Sequence, residues 1–357
     1  MWKIARIGKE AGPAGAENGM GMVTLGKSGI RADKNAFGAL PIQRISKEEA
    51  VKLLRKAYDN GFTFFDTARS YTDSEAKLGA AFAGMADRPV IATKTTARTV
   101  EVFWKDLHTS LEMLGVDCID LYQLHNPPVM PKPGDDAGLY DALMEARAQG
   151  KIRHHGITNH RLPVAMEIAQ SGLYETLQFP FSYLSGARDI ELVTLCAREN
   201  VGFIAMKALA GGLISNAAAA YAWLEQYPGV LPIWGIQRER ELDEFIACRQ
   251  SRPVLEGALQ KVVEQDQAEL QGNFCRGCGY CLPCPADIKI NECARATLMM
   301  RRMPPQKFFA AEFQAEMAKI RSCTECGHCR GCCPYSLDVP VLLRRSLEEY
   351  EKVLSLN

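Results

Sequence analysis

The sequence predicts an α/β barrel of eight strand–helix units, followed by a small cysteine-rich domain. Three observations carry that prediction. Short apolar runs alternate with amphipathic stretches from Asn35 to Cys248. Eight such units in roughly 230 residues match the size of a (β/α)8 TIM barrel. Most of the 13 cysteines crowd between Cys275 and Cys333, beyond the last unit.

Each element has a local justification. Asn35-Ala36-Phe37-Gly38-Ala39 is the first strand. Ser46 and Glu49 form a capping box, and Ala50, Val51, Leu53, Leu54 and Ala57 follow at helical spacing until Gly61 stops the helix. Further strands are expected at Phe62–Phe65, Val90–Thr93, Ile119–Leu124, Ile152–Ile157, Thr176–Phe179, Phe203–Met206 and Pro232–Gly235. Helical patterns at 99–114, 138–149, 188–199 and 240–248 lie between them. A doubly wound sheet needs a G-x-G-x-x-G turn after its first strand, and none stands there. Residues 1–21 hold Gly12, Gly15, Gly19 and Gly21 with little apolar periodicity. They read as an N-terminal extension, either a tail or an added strand pair, with Met20 and Met22 as alternative starts. The barrel is expected over 22–265 and the cysteine-rich domain over 266–357.

Two runs dominate that domain. One reads Cys275-x2-Cys278-x2-Cys281-x2-Cys284-Pro285, the other Cys323-x2-Cys326-x2-Cys329-x3-Cys333-Pro334. The second has the C-x2-C-x2-C-x3-C-P spacing that holds [4Fe–4S] clusters, three thiolates serving one cluster and the fourth the other. The first run is one residue shorter before its last cysteine. Structural zinc prefers two separated C-x2-C pairs. Disulfides suit secreted chains, and no signal-peptide pattern opens this one. The crossed rule gives Cys275, Cys278, Cys281 and Cys333 to one cluster, and Cys323, Cys326, Cys329 and Cys284 to the other. Cys332 is a rival to Cys333. Cys293, Cys118, Cys196 and Cys248 read as core thiols. Between the runs, Met299, Met300, Met303, Phe308, Phe309 and Phe313 form a stripe read first as a docking surface and second as a cover over the barrel mouth. The last helix is expected from Val339 to Leu354.

Lys and Arg balance Asp and Glu at 42 each. That gives no electrostatic case for nucleic acid or an anionic membrane. No apolar run reaches bilayer length. Free thiols and clusters imply a reducing, cytoplasmic setting.

TIM-barrel chemistry sits at the C-terminal ends of the strands. There the sequence places Asp66, followed by Thr67-Ala68-Arg69-Ser70-Tyr71, then Lys94 and His125. Each has a bland reading as a cap, a packed loop ring, a rim charge or a backbone partner. Together, on consecutive strands, an acid, a phenol, an amine and an imidazole point to one site.

From about Leu25 to Phe245 this pattern resembles the aldo-keto reductases, and the cysteine runs resemble those of a branch with a ferredoxin-like tail. The resemblance implies a catalytic tetrad of Asp66, Tyr71, Lys94 and His125. Tyr71 would donate the proton, Lys94 would lower its pKa from the usual value near 10, Asp66 would hold Lys94, and His125 would orient the carbonyl. It also implies NADP(H) or NAD(H), and a small carbonyl or alcohol substrate. Thr158, Asn159 and Gln178 match the carboxamide-binding positions. Met206 stands where relatives place a stacking Tyr, followed by Lys207. The adenosine-end run includes Gln237, Arg238, Arg240, Glu241 and Glu244, and Phe245 replaces an Asn. Its two arginines lean toward NADP, and Glu239 and Glu241 lean against it.

Nicotinamide gives hydride, whereas clusters move single electrons. A flavin is the usual converter, and no flavin motif stands here, although one borrowed or bound unseen stays open. The clusters are expected either to relay electrons to a partner protein or to pin the tail. Alternatively, the chain is an electron-transfer subunit on a reductase scaffold.

Overall fold

A computed structural model describes residues 21–270, 274–301 and 306–355. The expected extension lies outside these residues but for Gly21, as does Met303 of the Met/Phe stripe.

An antiparallel hairpin, β1 (Met22–Leu25) and β2 (Ile30–Asp33), precedes the barrel. Eight parallel strands then close on themselves: β3 (Ala36–Gly38), β4 (Phe64–Asp66), β5 (Val90–Thr95), β6 (Ile119–His125), β7 (Ile152–Thr158), β8 (Thr176–Pro180), β9 (Gly202–Met206) and β10 (Val230–Gly235), with β10 pairing β3. The hairpin plugs one end. Its Val23, Leu25, Ile30 and Ala32 pack with Ala36, Phe64, Ala92, Leu121, Ile204 and Leu231 from the strands. The hairpin turn comes so close to β9 that a Cβ on Gly26 would lie 2.3 Å from the Gly202 nitrogen. Glycine is the residue that tolerates both this approach and a φ of +50°.

Helices cover the outside: α1 (Lys47–Asp59), α2 (Ser74–Phe82), α3 (Val100–Leu114), α4 (Leu139–Ala148), α5 (Leu162–Gln170), α6 (Ala187–Arg198), α7 (Ala217–Glu225), α8 (Glu239–Ser251) and α9 (Gly257–Glu269). The Ser46 box forms as expected, each partner closing on the other. The expected division at 265/266 falls inside α9. That helix packs on α7, and the barrel's apolar layer continues through Val263 and Leu270 to Phe274.

The regular structure of the tail's described residues is helical, α10 (Ile290–Cys293), α11 (Ala296–Met300), α12 (Gln306–Phe309), α13 (Ala311–Ala318), α14 (His328–Cys332) and α15 (Val339–Ser355), and irregular chain carries both cysteine runs but for Cys329 and Cys332. Its own core joins Ile288, Ile290, Phe308, Met317, Leu343 and Tyr350. The Met/Phe stripe therefore belongs mostly to the tail's interior. Phe308 meets Phe313 edge-on at 5.0 Å, and of the described stripe Met299 also packs on the barrel layer.

Candidate active site

Parallel register decides what meets at the barrel mouth. Asp66 pairs with Ala92, Lys94 with Gln123, His125 with Thr158, and Thr158 with Gln178. These residues therefore lie at the same, C-terminal end. The Lys94 ammonium donates to Asp66 Oδ2 and to the Thr67 carbonyl, both at 2.6 Å. Both side chains are buried, at 1% and 3% exposure. Burial pulls each toward its neutral form, and their contact opposes that pull. Gln123 and Gln178 donate to the same carboxylate at 3.5 and 3.4 Å.

Above this pair, the Lys94 nitrogen lies 5.3 Å from the Tyr71 ring centre. Tyr71 stands edge-on to His125, centroids 6.0 Å apart. The expectation that Lys94 lowers the Tyr71 pKa is corrected here: burial raises it, and the charges of Asp66 and Tyr280 add to the rise. Asp66 neutralises Lys94 at contact distance, leaving little field for the phenol, so Tyr71 keeps its proton at neutral pH. Burial, then Lys94 and Arg98, lower His125 to about 3. Its Nδ1 is buried with no hydrogen-bond partner among the described residues. Thr72, Asn126 and Lys207, each just after a candidate residue, have φ of 42°, 51° and 54°. Such left-handed backbone in non-glycine residues stores strain at a mouth where side chains must be aimed.

The other candidates are placed less evenly. Thr158 Oγ1 accepts from the Asn126 nitrogen at 3.1 Å and keeps its own proton to donate. Asn159 donates to the Pro127 carbonyl and accepts from the Arg161 nitrogen. Gln178 also accepts from Gln123 at 3.0 Å. A donor and spare lone pairs are thus left for a carboxamide on this wall. Met206 ends β9, buried, and Lys207 donates to the Arg276 carbonyl at 3.4 Å. Burial brings Lys207 down to about 8 against the opposing pull of Cys278. At the far end the fit is poorer. Glu241 folds back onto the Gln237 and Arg238 nitrogens at 2.8 and 3.0 Å, occupying the helix N-terminus where a phosphate would sit. Arg238 and Arg240 are exposed. Phe245 stacks on Trp234 at 4.3 Å, inside the core. No polar partner of Glu244 marks it for a nucleotide among the described residues.

Two tyrosines of the tail reach this mouth. Tyr335 meets His160 Nδ1 at 2.9 Å, and the Tyr280 ring stands 5.1 Å from the same imidazole, within hydrogen-bond reach of Asn126. His160 is thus a clamp for the tail. The sequence reading missed both tyrosines, and also Gln123. Gln123 had a signal, since it lies two residues before His125 and so on the same strand face.

None of the thirteen cysteines is joined in a disulfide. Cys284, Cys323, Cys326 and Cys329 line one cavity with Ile288, Pro340 and Leu343. Cys275 lies within electrostatic reach of Cys278 and Cys333, and Cys281 within reach of Cys275, Cys278 and Cys329. Cys332 turns instead toward His328, 3.9 Å away. No three His, Cys, Asp or Glu groups among the described residues converge as for a single metal ion, where thiolates on zinc at about 2.3 Å would nearly touch. Thiols spread around a cavity fit a larger cluster. No helix among the described residues is long and apolar enough to cross a membrane.

The Aldo/keto reductase family model matches residues 19–220, and a 4Fe-4S dicluster domain model matches residues 274–338. A 6-dehydroglucose reductase of Novosphingobium aromaticivorans is 28% identical over 270 residues, 62% of this chain and 87% of that protein. An L-galactose dehydrogenase of Arabidopsis thaliana is 27% identical over 54% of this chain and 66% of its own length. Among solved structures, a holo aldo-keto reductase from Bacillus halodurans superposes with a TM-score of 0.60 at 19% identity, over 69% of this chain and 95% of that one. One from Klebsiella pneumoniae in complex with NADPH gives 0.58 at 23% identity, over 69% and 95%. The chain belongs to the aldo/keto reductase family and carries a C-terminal 4Fe-4S dicluster domain.

Proposed function

We propose that this member of the aldo/keto reductase family reversibly reduces a small carbonyl to an alcohol with NAD(P)H. The observation that carries the reading is the buried Asp66–Lys94 pair lying beneath Tyr71 and His125. Thr158, Asn159 and Gln178 would hold the carboxamide of a nicotinamide, and that cofactor would supply the hydride. Negative charge then grows on the carbonyl oxygen. His125, neutral and with its Nδ1 unpartnered, orients that oxygen. Tyr71 gives up its proton to it. Asp66 holds Lys94 beneath the Tyr71 ring, and only the part of its charge that Asp66 leaves uncompensated favours the phenolate as it forms. Cys275, Cys278, Cys281 and Cys333 would hold one cluster, and Cys284, Cys323, Cys326 and Cys329 the other. Clusters would supply one-electron storage or a staple for the tail.

Tyr71→Phe is expected to cut kcat by about 10²- to 10⁴-fold, the usual worth of a positioned proton donor, with iron content unchanged. Near-normal turnover in that variant overturns the assignment.

A second reading, an electron-transfer subunit working with a partner redox protein, is favoured by one observation. The tail's Arg295 donates to the Gly211 carbonyl at 2.8 Å, covering the loop after β9, while Glu241 fills the start of α8. An EPR-monitored NADPH titration of the anaerobically reconstituted chain separates the two. Nicotinamide binding with carbonyl turnover favours the first. Clusters reducible by a partner, without nicotinamide binding, favour the second.

A further inference from the structure

The two cysteine sets sit in opposite electrostatic surroundings. Beside the second set the cations are exposed and already paired. Arg330 bonds both oxygens of Asp338 at 2.8 Å, and Arg344 meets Glu325. Cys326 itself is exposed.

The first set faces the barrel. Of its cations, Arg276 has Asp189 within electrostatic reach, whereas Arg295 and Lys207 lack a carboxylate among the described residues. Arg295 is 7% exposed. Its guanidinium donates to the Gly211 carbonyl and contacts the Met299 sulfur at 3.2 Å, and its Nε is buried with nothing to bond among the described residues. It pairs with no carboxylate among those residues. It rides directly on the Cys275–Cys278 loop, where a Cβ on Gly277 would fall 2.1 Å from its Nη1. Lys207, at the end of β9, has the Arg276 carbonyl as its hydrogen-bond partner and again no carboxylate among the described residues. Burying a cation without an anion is strongly destabilising. Neutral carbonyls and a thioether do not discharge it, and the anion must come from what the loop holds. A thiolate-bound [4Fe–4S] cluster is negative, and its charge grows by one electron on reduction.

We propose that Arg295 and Lys207 are the built-in counter-charges of the cluster on Cys275, Cys278, Cys281 and Cys333, stabilising its reduced form. This rests on the liganding proposed above. The barrel thereby contributes to the electronics of the tail: Lys207 directly follows β9, and the loop after β9 anchors Arg295. Among the described residues, the cations that flank the second cysteine set, Arg330 and Arg344, are instead exposed and paired.

The test is a potentiometric titration of the full-length chain, loaded anaerobically with iron and sulfide and followed by EPR. Two cluster signals with matching iron and sulfide content establish the liganding. A chain that loads no cluster overturns that reading, and this inference with it. In the loaded chain, Arg295→Leu is expected to lower the reduced-to-oxidised ratio of one cluster about tenfold at fixed potential, about 59 mV for a one-electron couple. The other cluster stays put. Arg295→Lys keeps the charge and most of the potential. Lys207→Met gives a smaller shift of the same sign on the same cluster, and carries the test if Arg295→Leu fails to fold. Arg344→Leu, which removes a paired and exposed charge, moves neither. Unshifted potentials in both Arg295→Leu and Lys207→Met, or equal shifts in Arg295→Leu and Arg295→Lys, sink the proposal.

Discussion

The barrel closes eight hydrogen-bonded strands around an interior of Ala36, Phe64, Leu121, Ile204 and Leu231, and layers apolar helix faces outside them. The tail has no strand among its described residues, and five of its six helices run to eight residues or fewer. Isolated helices that short are marginal in water. Its core counts Cys275, Cys281, Cys293 and Cys329 among its buried members. The barrel carries its stability in its own ladders and packing, whereas the tail recruits thiols where another fold would place leucines. Small units of this kind need a staple. Under the proposed liganding, Cys275, Cys281 and Cys329 would hold the clusters and also fill the tail's core.

Iron removal strains this contrast most. Chelating the iron is expected to abolish the order of the tail while the barrel survives. Limited proteolysis would then cut freely beyond Phe274 and leave a fragment that ends near α9. A tail that resists protease after complete iron loss contradicts the comparison.

Acid acts next, and on the barrel side. His125 and His160 are both lowered by burial. The folded chain therefore refuses protons that the unfolded chain accepts near pH 6.5. Their contribution is whole above that pH and is lost as pH falls, toward about 3 for His125. Each costs at most about 1.4 kcal/mol per pH unit in that window. Urea unfolding at pH 7 and pH 5 should show the loss, and His125→Asn should flatten it. An unchanged slope in that variant means His125 titrates normally in the folded chain.

The smallest effect concerns the seam. Tyr335→Phe deletes the hydrogen bond to His160 and should loosen docking by about 1 kcal/mol. Faster amide exchange in the tail, with the barrel core unaltered, is the expected signature. Equal protection in variant and parent would show that the Tyr280 contact and the Arg295 anchor hold the tail alone.

The barrel was legible because period-two and period-3.6 patterns act over a few residues. Ser46 with Glu49, the run from Ala50 to Ala57, and the strand ends at Asp66, Lys94 and His125 needed no long-range knowledge. Element ends moved by one to three residues, as at Phe64–Asp66 against the expected Phe62–Phe65 and Glu239–Ser251 against the expected 240–248, because hydrogen bonding sets them. The 265/266 division falls inside α9, because that helix runs on to Glu269 and packs on α7, a partner that local spacing does not reveal. The Tyr71 pKa failed for a similar reason. Proximity to Lys94 was readable, but burial and the neutralising contact with Asp66 were not.

The sequence by itself determined the eight-unit order, the polar residues at the strand ends and the two cysteine runs, since each is local spacing or local chemistry. Only the tertiary structure decided that Tyr280 and Tyr335 close on His160, and that Arg295 lies against the Cys275–Cys278 loop with no carboxylate partner among the described residues. These are contacts between residues far apart in the chain. Their energies depend on burial and on which charges end up without a partner, and no spacing along a sequence encodes that.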